Sequence, residues 1–326
     1  MPSDRTPAIA CIDVEPDPRA VDRVRRAPWH GFEALQPVFG RFRAALAAAT
    51  GGPAHFAWFF RMDPQVAEAY RSPTWAISTY RRFVDEALAQ GDELGVHPHP
   101  YRWDASQRIW INDLANQPWV EHCVRVSTAA FEDALGSQCV SSRFGDRWMN
   151  GATVRLLEEV GVRFDLTLEP GMPATPSPAG EERSTGSLPD LTMVPAHPYR
   201  PSLGDFRRQD PHRADGLWML PVTTRRLSPL LRHARRTYCR LTGLELLTDV
   251  ASLSLALRPL LFRDVLDGAL AGGRRPLVFV LRSDSGSNAL ERGRLVTNLD
   301  YLLTGRIARR LVFVTPVEAA RMLVLD

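Results

Sequence analysis

The 326-residue sequence contains no lysine, and all 40 of its basic residues are arginine. Enzymes that form a Schiff base, protein kinases, and proteins that hold a nucleotide in a Walker-type phosphate loop all need a lysine amine at the reacting centre. The absence of lysine therefore excludes these classes. A net charge of +3 spread over the whole chain gives no reason to expect a nucleic-acid partner.

Cysteine and long apolar runs are also scarce. The four cysteines lie far apart and form no C-x-x-C pair, which argues against a zinc ribbon or a dithiol redox motif. The most apolar stretch, 250–262, is interrupted by Arg258 and Pro259 and is too short to span a bilayer. No charged segment followed by an apolar core, the pattern of a secretory leader, precedes residue 8. We therefore expect a soluble cytoplasmic protein.

Short apolar runs alternate with longer segments of helical periodicity along the chain. This alternation predicts a parallel sheet with right-handed crossovers, either open or closed as a barrel. Helices are predicted over 73–90 and 150–160 because apolar residues there recur at three- and four-residue spacing. The predicted strands are 8–14, 55–61, 93–97, 138–143, 162–168, 217–222, 277–281 and 310–314.

We expect one domain, 1–326, with two special segments. Residues 170–189 are rich in proline, glycine, serine and threonine, which predicts a flexible loop. A basic run from Arg225 to Arg240 precedes an apolar stretch, which predicts a basic helical insertion near 225–262. The basic face is either solvated or in peripheral contact with a membrane, a phosphate or an acidic glycan.

The first candidate site is the pair Asp13 and Glu15, which ends the first predicted strand. Side chains alternate along a strand, so both carboxylates point to the same side. Ligands bind at the carboxyl ends of parallel strands, where such a pair suits a metal ion or a general base. The alternative is an acidic cluster exposed in a loop, since Asp17 follows.

The second candidate site is the pair His97 and His99, which ends another predicted strand. The same alternation places both imidazoles on one side, and Pro98 and Pro100 restrict the backbone around them. Two imidazoles suit zinc or another divalent transition metal. Together with one carboxylate of the acidic pair, they would form a site with positions left for water and substrate.

Five segments, in this order, resemble the NodB-like polysaccharide deacetylases, which are metal-dependent carbohydrate esterases. They are an apolar strand ending in acids (10–15), a second strand (56–63), a histidine motif (91–101), an arginine motif (142–148), and a helix with its following strand (156–165). The resemblance covers most of the chain. It implies an α/β fold, specifically a distorted (β/α) barrel of the polysaccharide deacetylase type.

The resemblance also implies residue roles. It makes Asp13 the general base, Glu15 and His97 metal ligands, and Arg143 the residue that orients Asp13. The implied cofactor is a divalent metal ion, with zinc the first choice. Such an ion polarises the acyl oxygen and lowers the pKa of a bound water, while a carboxylate accepts the proton.

The sequence departs from the family pattern at three places. Val14 separates the two acids that are usually adjacent, and Tyr101 stands where the second histidine ligand is expected, so His99 would have to replace it. Arg282 stands where a late strand usually ends in a histidine that acts as general acid. An arginine donates no proton at neutral pH, but it can stabilise an oxyanion or bind a phosphate or carboxylate.

Other residues are candidates for the missing roles. His197, in a proline-rich loop, is the first choice for a replacement acid, ahead of His212 and Asp284. Substrate contacts are expected from Tyr101, Trp148 and Arg282, which supply aromatic surface and a guanidinium. Trp148 has an equally ordinary explanation as a residue of the core.

These observations predict a metal-dependent hydrolase that removes an acetyl or similar acyl group from an N-acetylated sugar or glycan precursor. The substrate would be a small molecule or a lipid-linked sugar. Two alternatives remain open: a non-catalytic relative that binds a glycan or an anion, and an amidohydrolase acting on a cyclic amide that is not a sugar.

Overall fold

The computed structural model describes residues 5–19, 21, 28–176, 183–242, 248–273 and 275–325. Strands and helices alternate along most of the described chain. The strands are β1 (Thr6–Val14), β2 (Ala57–Phe60), β3 (Glu93–Val96), β4 (Tyr101–Asp104), β5 (Ile109–Asp113), β6 (Ser141–Ser142), β7 (Phe164–Asp165), β8 (Thr175–Pro176), β9 (Arg183–Thr185), β10 (Ser187–Leu188), β11 (Trp218–Met219), β12 (Thr224–Arg226), β13 (Val250–Ser252), β14 (Leu277–Arg282) and β15 (Leu311–Phe313). The helices are α1 (His30–Thr50), α2 (Pro64–Tyr70), α3 (Trp75–Thr79), α4 (Arg81–Ala89), α5 (Gln117–Leu135), α6 (Gly151–Glu159), α7 (Pro229–Thr242), α8 (Pro259–Ala271), α9 (Ala289–Leu302), α10 (Gly305–Ala308) and α11 (Pro316–Leu323).

A parallel sheet of eight strands forms the centre of the described structure. Its order is β11-β7-β6-β3-β2-β1-β14, and β15 pairs with the start of β1. Each of the eight predicted strand regions overlaps one strand of this sheet, so the prediction of a parallel sheet is confirmed. Such strands are buried on both faces and read as continuous apolar runs, which is why the sequence reveals them.

The two ends of the sheet approach each other beyond β11. The backbone N–H of Thr223 donates to the carbonyl of Val278 in β14 at 3.0 Å. In return, the N–H of Val278 donates to Oγ1 of Thr223 at 2.9 Å. These bonds join the open edges through an irregular segment, which gives the predicted distorted (β/α) barrel.

The alternation of β1 divides the core into two parts. Ile9 and Cys11 pack with the inner faces of β2, β7 and β14, whereas Ala10 and Ile12 pack in the larger cluster beneath the helices. Asp13 continues the row of Ile9 and Cys11. The acid at the end of β1 therefore belongs to the side of the strand that faces the barrel interior.

The helix predictions are confirmed in position, with one break. The predicted helix over 73–90 is divided at Tyr80 into α3 and α4, because Tyr80 has the non-helical angles φ −104° and ψ 30°. The predicted helix over 150–160 corresponds to α6. Asn150 caps that helix by accepting a hydrogen bond from the N–H of Thr153 at 2.8 Å.

The two special segments have more structure than the sequence indicates. Of the predicted loop 170–189, residues 177–182 lie outside the described chain, and the remainder contains the short strands β8, β9 and β10. The basic insertion near 225–262 consists of β12, α7, β13 and the start of α8, and no residue of α7 is buried. Among the described residues, we find no helix with the length and apolar character needed to cross a bilayer.

Candidate metal centre

The candidate residues converge at the carboxyl ends of neighbouring parallel strands. Asp13 ends the apolar part of β1, and its register partner is Arg282, the last residue of β14. His97 directly follows β3, and Arg143 directly follows β6. Because parallel strands place their carboxyl ends at one edge, residues that are far apart in sequence meet here.

Glu15, His97 and His99 form a buried cluster whose ligand atoms all lie within 4.8 Å of one another. The two Nε2 atoms of His97 and His99 are 3.2 Å apart. Oε2 of Glu15 lies 3.6 Å from Nε2 of His99. Two imidazoles and one carboxylate are therefore directed toward a common point.

Two of the three ligand side chains, His97 and Glu15, are held by a neighbour that leaves the ligand atom available. Nδ1 of His97 lies 2.5 Å from the carbonyl oxygen of Arg143, and donation to that oxygen leaves Nε2 as the unprotonated nitrogen. Oε1 of Glu15 accepts from Nε of Arg282 at 2.7 Å. Oε2 of Glu15 has no hydrogen-bond partner among the described residues although it is buried. A buried oxygen without a partner is costly unless a cation or water satisfies it.

The donor set fits a divalent ion of the zinc type. Zinc bonds histidine nitrogen at about 2.0–2.1 Å with tetrahedral geometry, which places two ligand nitrogens roughly 3.3 Å apart. The observed separation of 3.2 Å between the Nε2 atoms of His97 and His99 is close to this value. The electrostatics agree, because burial lowers the pKa of His97 to about 4, and a neutral imidazole is the form that binds metal.

Asp13 and Arg143 form a second buried pair beside this cluster. Nε of Arg143 donates to Oδ1 of Asp13 at 2.8 Å, and its Nη1 donates to the carbonyl of Leu166 at 2.7 Å. Burial alone would lower the pKa of Arg143, but the adjacent Asp13 raises that pKa above its usual value. Arg143 therefore remains a cation that orients one face of Asp13.

These groups surround a pocket of about 240 Å³. Its volume admits a small head group and a water rather than a long polymer segment buried on all sides. The lining residues are Asp13, Glu15, Arg19, His97, His99, Arg143, Asp146, Arg147, Glu169, Leu188 and Arg282.

Comparisons with known proteins give structural matches only. No protein-family model matches the sequence, and no curated protein sequence matches it. A protein described as a polysaccharide deacetylase from Mycobacterium smegmatis is 16% identical with a TM-score of 0.50, covering 100% of this chain and 93% of that one. A protein from Pseudomonas aeruginosa PAO1, described in the same terms, is 13% identical with a TM-score of 0.52, covering 99% and 92%. This chain has the fold of the NodB-like polysaccharide deacetylases. Puue allantoinase shares that fold, at 12% identity and a TM-score of 0.51, covering 100% of this chain and 93% of its own.

The candidate metal centre contains an arginine, Arg282, beside its candidate ligands. Besides its bond to Glu15, Arg282 donates from Nη2 to Oδ2 of Asp284 at 2.8 Å. Burial would raise the pKa of Glu15, but the charge of the adjacent Arg282 holds it well below its usual range. Burial also raises the pKa of Asp284 to about 6, despite the opposing charge of Arg282. Arg282 thus keeps a candidate metal ligand of this NodB-like barrel ionised.

Tyr101 and Trp148 do not line the pocket, although the sequence indicates them as substrate contacts. Tyr101 is fully buried behind His99, and the two rings stack with centroids 5.4 Å apart and an interplanar angle of 21°. The hairpin of β4 and β5 begins at Tyr101 and turns its side chain into the protein. Trp148 is half-buried and packs against a hydrophobic cluster that includes Val154 and Met219. Tyr101 therefore supports the candidate site from behind, and Trp148 packs against the core.

His197 also lies outside the pocket. Its side chain is exposed, and its Nε2 is 3.2 Å from Oε1 of Gln209. It is not among the residues that line the pocket. The geometry of the pocket therefore gives no support to the sequence-based choice of His197 as a replacement acid.

The structure adds residues that the sequence did not indicate as a group. Oδ1 of Asp146 accepts from Nη1 of Arg19 at 2.6 Å, and its Oδ2 accepts from Nδ2 of Asn112 at 3.1 Å. Oδ2 of Asp146 also lies 3.5 Å from Nδ1 of His99. Asp146 lies in the turn after β6 with the left-handed angle φ 54°, a conformation that aspartate adopts more readily than most residues. Asp146 is therefore placed to orient the imidazole of His99 in the candidate metal centre.

Proposed function

We propose that this protein is a metal-dependent hydrolase that removes an acetyl or similar acyl group from an N-acylated sugar or glycan precursor. The observation that carries the proposal is the cluster of Glu15, His97 and His99 beside the Asp13–Arg143 pair. The two clusters meet at the edge of the barrel where parallel strands place their ligands. Fold alone would not identify a reaction, so the proposal rests on these side chains.

Glu15, His97 and His99 would hold the ion, with Zn²⁺ the best match to two imidazoles and one carboxylate. When bound, the ion supplies Lewis-acid polarisation of the acyl oxygen and a water of lowered pKa. Asp13 accepts the proton from the attacking water, because its carboxylate lines the pocket next to the ligands. Arg143 holds Asp13 in place through the 2.8 Å bond from its Nε to Oδ1 of Asp13.

The proton of the leaving nitrogen needs a source, and Arg282 cannot supply it. Asp13 becomes a carboxylic acid once it has accepted the proton from water. We assign it the second task of passing that proton to the leaving amine, so that one carboxyl group serves first as base and then as acid. Arg282 maintains the charge of Glu15 and contributes positive charge where the oxyanion develops.

A product assay tests this function directly. Purified protein loaded with Zn²⁺ is incubated with N-acetylglucosamine, its short oligomers and a nucleotide-linked N-acetylated sugar, and released acetate is measured. We expect acetate release that depends on metal and is lost in Asp13→Asn. Ligand binding without turnover in any of these assays would instead favour a non-catalytic glycan- or anion-binding protein.

A second candidate function is hydrolysis of a cyclic amide that is not a sugar. The observation that favours it is the shared fold of Puue allantoinase, which covers 100% of this chain. Allantoin in the same assay, with ring opening as the readout, separates the two candidates.

A cytoplasmic location and membrane contact through Arg225–Arg240 stay predictions.

A further inference from the structure

A second, larger cavity adjoins the candidate metal centre. It has a volume of about 1320 Å³ and lies between α7, β13, the start of α8 and the turn after β14. This exceeds the roughly 300–1,000 Å³ that is typical of sites for small ligands. The candidate metal pocket, at about 240 Å³, is much smaller. We call the larger cavity the α7 groove.

The walls of the α7 groove are mainly apolar. Leu231, Ala234 and Tyr238 line it from α7, and their spacing of three and four residues forms one stripe along the helix. The opposite wall includes Leu257 and Leu260, and the side chain of Leu260 is 69% exposed. Leu231 also packs against the main core, whereas Ala234 and Tyr238 are exposed, so this part of the stripe faces the open groove. A contiguous apolar surface of this kind marks a binding site in a folded protein.

Positive charge surrounds this apolar surface. Four arginines line the groove against one acid, Glu291. Among the described residues, no acid forms an ion pair with three of these arginines, and the fourth, Arg282, is bound to Glu15 and Asp284. Arg258 lies over the ring of Tyr238, 4.8 Å from its centroid. Guanidiniums without an acidic partner beside an apolar surface match a ligand with an apolar chain and an anionic group. The four arginines are Arg235, Arg258, Arg282 and Arg294.

Arg282 connects the groove to the metal centre. It lines both cavities, and its Nε is 2.7 Å from Oε1 of Glu15. A chain lying in the groove therefore ends where the head group would meet the proposed ligands. The smaller pocket also favours an anionic ligand. Its lining includes four carboxylates and four arginines, so a bound divalent cation would leave it with a net positive charge.

We propose that the substrate is an anionic amphiphile, with its apolar chain in the α7 groove, its anionic group at the groove arginines and its acylated head at the candidate metal centre. This inference rests on the proposed function. A second copy of the chain is a poorer occupant. Its own α7 would place its arginines against the arginines of the first copy, and these like charges repel.

Binding of simple probes tests the inference without requiring turnover. Dodecyl phosphate, butyl phosphate and dodecyltrimethylammonium are titrated into the full chain by calorimetry, below the micelle concentration of each probe. Because apolar burial and charge both contribute, we expect dodecyl phosphate to bind at least about tenfold more tightly than either other probe. Equal affinity for dodecyl and butyl phosphate would overturn the assignment of the chain to the groove.

Two matched pairs of variants on α7 locate the site. Ala234→Trp fills the groove, whereas His233→Trp places the same side chain on the opposite face of the helix, outside the groove. Arg235→Ala removes a groove charge, and Arg240→Ala removes one outside the groove. We expect the first member of each pair to weaken binding of dodecyl phosphate and the second to leave it unchanged. Equal effects within each pair would contradict the proposal.

Three further outcomes separate the inference from the proposed function, from a dimer interface and from a membrane-binding surface. Binding of dodecyl phosphate that persists in Asp13→Asn, with no acetate released from any substrate by the wild type, would refute the proposed function but not the groove. A dimer in solution that Ala234→Trp dissociates would assign the groove to a second copy and overturn the inference. Binding to phosphatidylglycerol vesicles without binding of monomeric dodecyl phosphate would also overturn it.

Discussion

Gly145 packs directly against the imidazole of His99, so that an added Cβ would lie 2.1 Å from Cε1 and 2.2 Å from Nε2 of the ring. Only a residue without a side chain leaves His99 in its place. We therefore predict that Gly145→Ala displaces the imidazole and weakens metal binding by roughly 10- to 100-fold, the usual effect of disturbing a ligand's support. A competition titration with a chromogenic chelator measures this affinity.

The control for Gly145→Ala is Gly293→Ala, in α9. A Cβ at Gly293 meets no atom within 4 Å, and alanine is the better helix former. Metal affinity should be unchanged in this variant. Equal affinity in Gly145→Ala and the wild type would show that His99 does not bind the ion.

Asp13→Asn tests the assignment of the general base. The amide keeps the size of the side chain but cannot accept the proton, so we predict a loss of activity of about 10²- to 10⁴-fold. Metal content should remain near the wild-type value, because Asp13 is not one of the three proposed ligands. Steady-state acetate release together with metal analysis measures both quantities, and Asp300→Asn, at an exposed position of α9, is the matched control.

The pH dependence of stability follows from the buried His97. Burial lowers its pKa from 6.5 to about 4, with the charge of Asp13 acting in the opposite direction. Between these values the unfolded chain binds more protons than the folded one, so the free energy of unfolding falls as pH falls. We predict that metal-free protein loses about 3 kcal/mol from this group between pH 7 and pH 4.

Urea unfolding in the presence of a chelator, at a series of pH values, measures this loss. In His97→Gln the same decrease should be missing, although other groups still titrate. An identical pH dependence in the variant and the wild type would contradict the prediction.

His197→Ala tests whether His197 acts as the general acid. The exposed His197 contacts Gln209 and does not line the pocket. We predict that acetate release changes by less than about twofold, as is usual for surface substitutions away from a site. A fall of a hundredfold or more, with the fold retained, would restore His197 to the role of general acid.

The sequence predicted the sheet well because the information is local. A strand buried on both faces reads as an apolar run, and the alternation along β1 and beyond β3 was enough to pair Asp13 with Glu15 and His97 with His99. The parallel arrangement then brought both pairs to one edge. The order of motifs added Arg143, which no local pattern would have indicated.

The predictions that the structure does not support concern residues whose positions depend on how distant segments pack. Tyr101 follows the histidines closely in sequence, but the β4–β5 hairpin turns its ring behind His99. Arg19 and Asn112 reach the site from a loop and a hairpin whose positions no periodicity fixes. The sequence indicated the region of the α7 groove only as a basic run. The apolar wall of the groove is formed by residues of α7, β13 and the start of α8, which no local pattern brings together.

Metal content is the most direct test of the central claim, that Glu15, His97 and His99 form a metal centre. The protein is purified without chelator, supplied with Zn²⁺, desalted and analysed by mass spectrometry beside a His97→Ala, His99→Ala double variant. We predict about one zinc per wild-type chain, as for a site of three protein ligands, and none in the variant. No metal in the wild type after reconstitution, or equal metal in both proteins, would contradict the account.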